Sequence, residues 1–295
     1  MSEKRIDEQS GTEVTGHEWD GIEELNTPMP RWWLWIFYAS IVFAIIYAIL
    51  MPALPGIDSY SKGVLGKSDR VEVVEELYKL TDQRAVYANK MLSADIETIE
   101  GDEDLLRYAL AAGESAFGDN CATCHGTNGQ GLPGYPNLND DIWLWGGSYE
   151  DIRQTLNYGI RALHEDTRVS LMQAYGRDEL LTREEISDLT EYVVSLSGRE
   201  ADASAIARVS TLYQEQCASC HGMDGKGDRL QGAPDLSDNE WLYGGDRATI
   251  VETLTNGRAG VMPHWKERLS PDMVNSLAYY VHSLGGGEKS DAPTQ

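Results

Sequence analysis

The sequence predicts a mainly α-helical chain: one transmembrane helix near the amino end, then two tandem copies of a small helical domain. Three observations carry that prediction. Residues 32–51 form a long uncharged apolar run. Apolar residues recur at helical spacing in the connector and at the start and end of each repeated unit, with no sustained strand pattern between. The carboxyl-terminal two-thirds of the chain repeats itself at many positions in the same order. The segments read as an arm at 1–31, a membrane span at 32–52, a helical connector at 53–102, one domain at 103–199, a second at 200–288 and a disordered tail at 289–295.

The arm is polar, with eight acidic and three basic residues, and is expected to be mostly flexible apart from one amphipathic turn around Trp19, Ile22 and Leu25. From Trp32 to Met51 no side chain is charged. At about 1.5 Å per residue this run spans roughly 30 Å, the thickness of a bilayer's hydrocarbon core. Trp32, Trp33 and Trp35 gather at one end like an interfacial belt, and Pro52 and Pro55 end the helix. A cleaved leader would need a basic start, a shorter core and a small-residue cleavage site, none of which is found here.

In the connector, Val71, Val74, Leu77 and Leu80 mark an amphipathic helix. The repeat then begins. Cys121, Cys124, His125, Gly126, Gly129 and Gly131 return 96 residues later as Cys217, Cys220, His221, Gly222, Gly225 and Gly227. Pro136, Leu138, Trp143, Gly146, Gly147, Leu156 and Gly159 return as Pro234, Leu236, Trp241, Gly244, Gly245, Leu254 and Gly257, and Tyr192-Val193 as Tyr280-Val281. Each copy opens and closes with a helical pattern. Leu105, Leu106, Leu110 and Phe117 precede the first cysteine pair. Thr182 and Glu185 have capping-box spacing ahead of Ile186, Leu189, Val193 and Leu196, while Ser270-Pro271 starts the last helix. Copies of about 90 residues are too small for a strong core without a staple.

With 24 basic against 48 acidic side chains the chain carries a net charge of −24, which repels nucleic acid and anionic lipid surfaces. All four cysteines fall in the two repeated pairs. Cys121-Ala-Thr-Cys124-His125 and Cys217-Ala-Ser-Cys220-His221 are haem c attachment sequences: two thiols at this spacing form thioethers with one haem, and the adjoining histidine supplies the proximal nitrogen to iron. A zinc site would join the pairs into one four-ligand set, and a thioredoxin-like pair has no need of the histidine. Two covalently bound haems c are therefore expected.

The sixth ligand decides between a closed, electron-transferring iron and an open, catalytic one. Methionine closes the iron with a soft thioether. Met262, followed by Pro263, and Met172 occupy equivalent stretches of the two copies and are the candidate sixth ligands of the two irons that His125 and His221 hold. His164 and His264 are alternative ligands. Trp143, Trp241, Tyr192 and Tyr280 either line the haems or belong to ordinary cores.

Each copy resembles a class I cytochrome c domain: an opening helix, Cys-x-x-Cys-His, a methionine loop and a closing helix with Leu-x-x-Tyr-Val. The run from His17 to Asn26, followed by Pro28-Met29-Pro30-Arg31-Trp32-Trp33, together with one anchor and two such domains, resembles the di-haem subunit of cbb3-type cytochrome c oxidase over nearly the whole chain. Gln173 stands after Met172 where that family usually has proline. The resemblance implies an electron-transfer subunit, not itself the enzyme, that takes electrons from a cytochrome c donor in aerobic or microaerobic respiration. It implies partnership with the haem–copper catalytic subunit, where oxygen is reduced, and with a mono-haem cytochrome subunit. It also implies that the methionines can be exchanged, each copy's Met capping the other's haem, and spacing leaves the pairing open.

A di-haem peroxidase would need one open iron and a distal acid–base residue, and is normally secreted without an anchor. The cytochrome subunit of another respiratory complex is distinguished by the amino-terminal run. Counting Lys62, Lys67 and Arg70 against Arg31 would place the domains in the cytoplasm. Arg31 abuts the span, however, whereas the other three lie away from it, and bacterial haem c attachment takes place outside the inner membrane. The expected topology is a single pass, with residues 1–31 cytoplasmic and the haem domains periplasmic.

Overall fold

The computed structural model describes residues 5–289. The first four residues of the arm and all of the expected tail but residue 289 lie outside the described residues. The chain divides into two compact units, Met1–Gln83 and Arg84–Gln295.

In the first unit the arm departs from expectation. Strands β1 (Val14–Trp19) and β2 (Ile22–Leu25) form an antiparallel hairpin, pairing Trp19 with Ile22 and Val14 with Leu25. The cause is the turn. Asp20 and Gly21 both hold positive φ, 49° and 84°, the twist that a two-residue hairpin loop requires and that Asp-Gly supplies most readily. Helix α1 (Arg31–Leu50) comes next, with none of its residues buried, and is long and apolar enough to cross a membrane. Pro30 leads into it and the chain turns extended at Met51. Helix α2 (Asp69–Met91) begins in this unit, with Val71, Val74, Leu77 and Leu80 exposed along it.

The second unit is helical: α3 (Ile96–Gly101), α4 (Glu103–Asn120), α5 (Ala122–His125), α6 (Tyr149–Tyr158), α7 (Arg183–Leu196), α8 (Ala203–Gln216), α9 (Ala218–His221), α10 (Arg247–Asn256) and α11 (Pro271–Ser283). Local chemistry sets their starts. The Thr182–Glu185 capping box forms in full at α7, satisfying amide donors at the helix start reciprocally, and Pro271 sits in the first turn of α11. Asp102, Ser148 and Asp246 cap α4, α6 and α10.

Packing joins helices from different copies. The opening helix of the first copy, α4, packs against α11, the closing helix of the second. Phe117 meets Tyr280 with ring centroids 5.6 Å apart, and the Tyr108 hydroxyl donates to Asp272. At the crossing, a Cβ on Gly113 would stand 2.5 Å from Ser276 O and closer still to Tyr280 Cβ, so only glycine permits this approach. Conversely, α7 closes on α8, the opening helix of the second copy: Tyr192 stacks on Tyr213 at 4.5 Å and Arg208 forks onto Asp188 with both bonds at 2.6 Å. Two cores result. One gathers Leu105, Phe117, Ile152 and Leu156 with Trp265, Val274 and Leu277. The other gathers Leu189, Val194, Val209, Tyr213, Ile250 and Leu254.

Candidate haem sites

The two attachment sequences have the same local shape. Cys121 and Cys217 each take a helical backbone just before the single turns α5 and α9, and the amides of His125 and His221 bond back to their carbonyls. This turn brings each cysteine pair and its histidine onto one short helical segment. Cys121 and Cys217 are buried, Cys124 is half-buried and Cys220 exposed; none of the four is in a disulfide. Burial, reinforced by the neighbouring cysteine, pushes the Cys121 and Cys217 thiols up to about 11.

The histidines are held by backbone carbonyls. His125 Nδ1 lies 3.0 Å from Pro136 O and His221 Nδ1 lies 3.1 Å from Pro234 O. A carbonyl only accepts, so Nδ1 carries the proton and the lone pair belongs to Nε2. Burial lowers both histidines' pKa values, against the opposing pull of these bonds, and favours the neutral ring. A neutral imidazole that donates through Nδ1 and presents a free Nε2 is the form that ligates a metal, with its orientation set by the acceptor behind it. The residues thus fit a haem with a proximal histidine. The repetition of Pro136 and Pro234 is visible in the sequence; their carbonyls as acceptors are not.

Between the loops that follow the two motifs lies a cavity of about 540 Å³, lined among others by Leu132, Pro136, Trp143, Pro234, Trp241 and Tyr243. Trp143 Nε1 donates to Gly286 O, and Trp241 lies under the Arg199 guanidinium at 5.4 Å. Tyr192 and Tyr280 instead lie at the helix crossings described above.

The methionine strands cross from one core to the other. Met262 N donates to Ile160 O, and Ile160 N to Met262 O; Met172 and Arg258 exchange the same pair of bonds. Ile160 and Arg258 each follow the repeated glycine, so the arrangement is reciprocal. Gly159 and Gly257 make it possible. Their φ values are 72° and 69° with ψ of −175° and 178°, a region essentially reserved for glycine, and a Cβ on Gly159 would meet Met262 O at 2.5 Å. Met262 packs against the core that contains Cys121, whereas Met172 packs against the core that contains Cys217.

His164 and His264 face each other edge-on, 5.4 Å between ring centroids, and both lie near the Glu267 carboxylate, at 3.7 and 3.3 Å. The Asp166 amide donates to His164 Nδ1, so a neutral His164 turns an N–H, not a lone pair, toward Glu267.

Comparison with known proteins agrees with this geometry. The N-terminal domain of cytochrome oxidase-cbb3, FixP, matches residues 11–58; cytochrome c matches residues 110–197; and subunit III of cbb3-type cytochrome c oxidase matches residues 204–281. The cbb3-type cytochrome c oxidase subunit CcoP of Azospirillum sp. (strain B510) is 48% identical, covering 98% of this chain and 100% of its own. Subunit FixP of Bradyrhizobium sp. (strain ORS 278) is 51% identical over 96% of this chain and 98% of its own. Subunit CcoP of Cereibacter sphaeroides is 48% identical over 93% and 95%. These full-length relationships, the two cytochrome c domains and the apolar helix agree in kind and in order. The chain belongs to the CcoP/FixP family, the membrane-bound, haem c-binding electron-transfer subunit of cbb3-type cytochrome c oxidase.

Proposed function

We propose that this chain carries two covalent haems c, held through Cys121, Cys124 and His125 and through Cys217, Cys220 and His221, and that the methionines are exchanged. Met262 caps the iron over His125, and Met172 the iron over His221. Haem c supplies a one-electron redox centre; the chain's own residues hold it, close it and exclude exogenous ligands. The reciprocal pairing of the two methionine strands carries this reading: each is bonded across to the other copy and packs in the core of that copy's cysteine pair. The commitment of His164 and His264 to each other and to Glu267 favours methionine over histidine at the sixth position.

With both irons closed, the chain relays electrons from a cytochrome c donor through its two haems to the haem–copper catalytic subunit, beside a mono-haem cytochrome subunit. Residues 5–30 lie in the bacterial cytoplasm, α1 spans the inner membrane, and the cytochrome domains stand in the periplasm. Protease added to spheroplasts should remove the haem-bearing part and spare an amino-terminal epitope; protection of the haems would reverse the topology.

Carbon monoxide tests the exchange. The reduced wild type should refuse it at both haems. In a Cys217→Ala/Cys220→Ala background, which keeps the first haem alone, Met262→Ala should open that haem and Met172→Ala should leave it closed. The opposite outcome assigns each methionine to its own copy.

A further inference from the structure

The two copies differ between the repeated glycine and the methionine. Met172 lies thirteen positions after Gly159, but Met262 only five after Gly257. The first copy is therefore longer here than the second, and Arg161 stands two residues after its glycine. Its backbone takes a left-handed φ of 53°, with its amide bonded to Arg168 O. This points the side chain across both methionine strands. Arg161 Nε donates to Gly260 O, and Nη1 donates to Ser170 O at 2.7 Å. Gly260 lies two residues before Met262, and Ser170 two residues before Met172. One guanidinium thus ties the approach to both candidate ligands.

Its charge is also distinctive. Arg168 has Asp151 at 3.5 Å and Arg258 has Glu252 at 3.5 Å. Among the described residues no carboxylate forms an ion pair with Arg161, which is half-buried. Burial lowers its pKa, yet an arginine stays charged throughout the physiological range. An uncompensated cation in a partly desolvated position stabilises an added electron on any nearby redox centre. The planar fork, rather than charge alone, allows two separate carbonyls to be held at once.

We infer that Arg161 is a positioning residue shared by both haem sites: its fork holds the two methionine strands in register, and its single charge raises the reduction potential of both irons. This rests on the ligand reading above. It assigns to one residue an effect that reaches both haems, where a residue belonging to one site would alter one.

The test uses the full-length chain in detergent, with spectroelectrochemical titration and the near-infrared sulfur-to-iron band as readouts. Arg161→Gln should shift each haem's reduction equilibrium about tenfold toward the oxidised form, about 59 mV for one electron, and weaken the band at both haems. Arg161→Lys keeps the charge and loses the fork, so the band should still weaken while both potentials fall less than in Arg161→Gln. Unchanged potentials in Arg161→Gln, or a shift at one haem alone, would overturn the inference. So would an Arg161→Lys protein whose potentials fall by about 59 mV or more from wild type at both haems, and this arm, read against wild type, still decides the matter if the glutamine variant fails to take up haem. A wild type without the band would instead refute methionine ligation, an outcome distinct from a wild type with the band and an indifferent Arg161.

Discussion

Replacing Gly257 with alanine probes how the fold holds a methionine. Gly257 takes φ 69° and ψ 178°, where any residue with a Cβ is strained by on the order of 1–3 kcal/mol. The added methyl would also press on Met172 O and lie 3.0 Å from Ala174 N, and such overpacking costs about 1–3 kcal/mol more. Together these amount to about 2–6 kcal/mol, a large share of the 5–15 kcal/mol that typically stabilises a folded protein. The backbone of the Met172 strand is the part pushed. Gly257→Ala should therefore lower the thermal unfolding temperature and remove the sulfur-to-iron band of one haem, leaving the band of the other. Gly198→Ala is the control: it shares a positive φ, 73°, but nothing lies within 4 Å of its added Cβ. If both variants melt alike and both bands survive in Gly257→Ala, the close approach does not hold the ligand, and the reasoning fails.

Two further outcomes are expected. Gly113→Val should force α4 from α11 and cost about 1–3 kcal/mol or more, measured by denaturant unfolding, whereas the second copy already carries Val209 at the equivalent place on α8. Asp188 is held below the usual carboxylate range by its hydrogen bonds to Arg208, so its contribution is present above the unfolded pKa of about 3.9 and is lost as pH falls through the lower folded value. Asp188→Asn should accordingly lower stability at neutral pH and flatten its decline below about pH 4 in acid-unfolding curves; equal steepness in the two proteins would discount the pair.

Range along the chain decides how much of the fold is legible in the sequence. The attachment motifs, α1 and the cap of α7 depend on neighbours a few residues away, and Thr182 and Glu185 announce themselves. The arm's hairpin is also local. Its signal, Asp20-Gly21 between Trp19 and Ile22, is masked by the acidic composition around it. The helix partners are another matter. Phe117 and Tyr213 occupy equivalent positions, as do Tyr280 and Tyr192, so either closing helix presents an aromatic suited to either opening helix. Periodicity gives each helix's buried face and says nothing of which copy covers it. Arg161 is hidden for a different reason: its partners are the backbone carbonyls of Gly260 and Ser170, which no side chain in the sequence announces.

The pairing of α4 with α11 gives the molecule a nested order of assembly. The hydrophobic residues of the core around Cys217 lie in one continuous stretch, from Met172 to Leu254, whereas those of the core around Cys121 are split between residues before that stretch and residues after it. As the chain emerges amino end first, α4 is among the early helices made and among the last satisfied, because Gly113 and Tyr108 await Ser276 and Asp272 more than 160 residues downstream. Closing so long a loop is slow compared with closing the inner one. The core around Cys217, made later, is thus the one able to fold first. A chain cut short just before Pro271 would lose the helix that closes the core around Cys121, at the far end of the sequence, while keeping the core around Cys217.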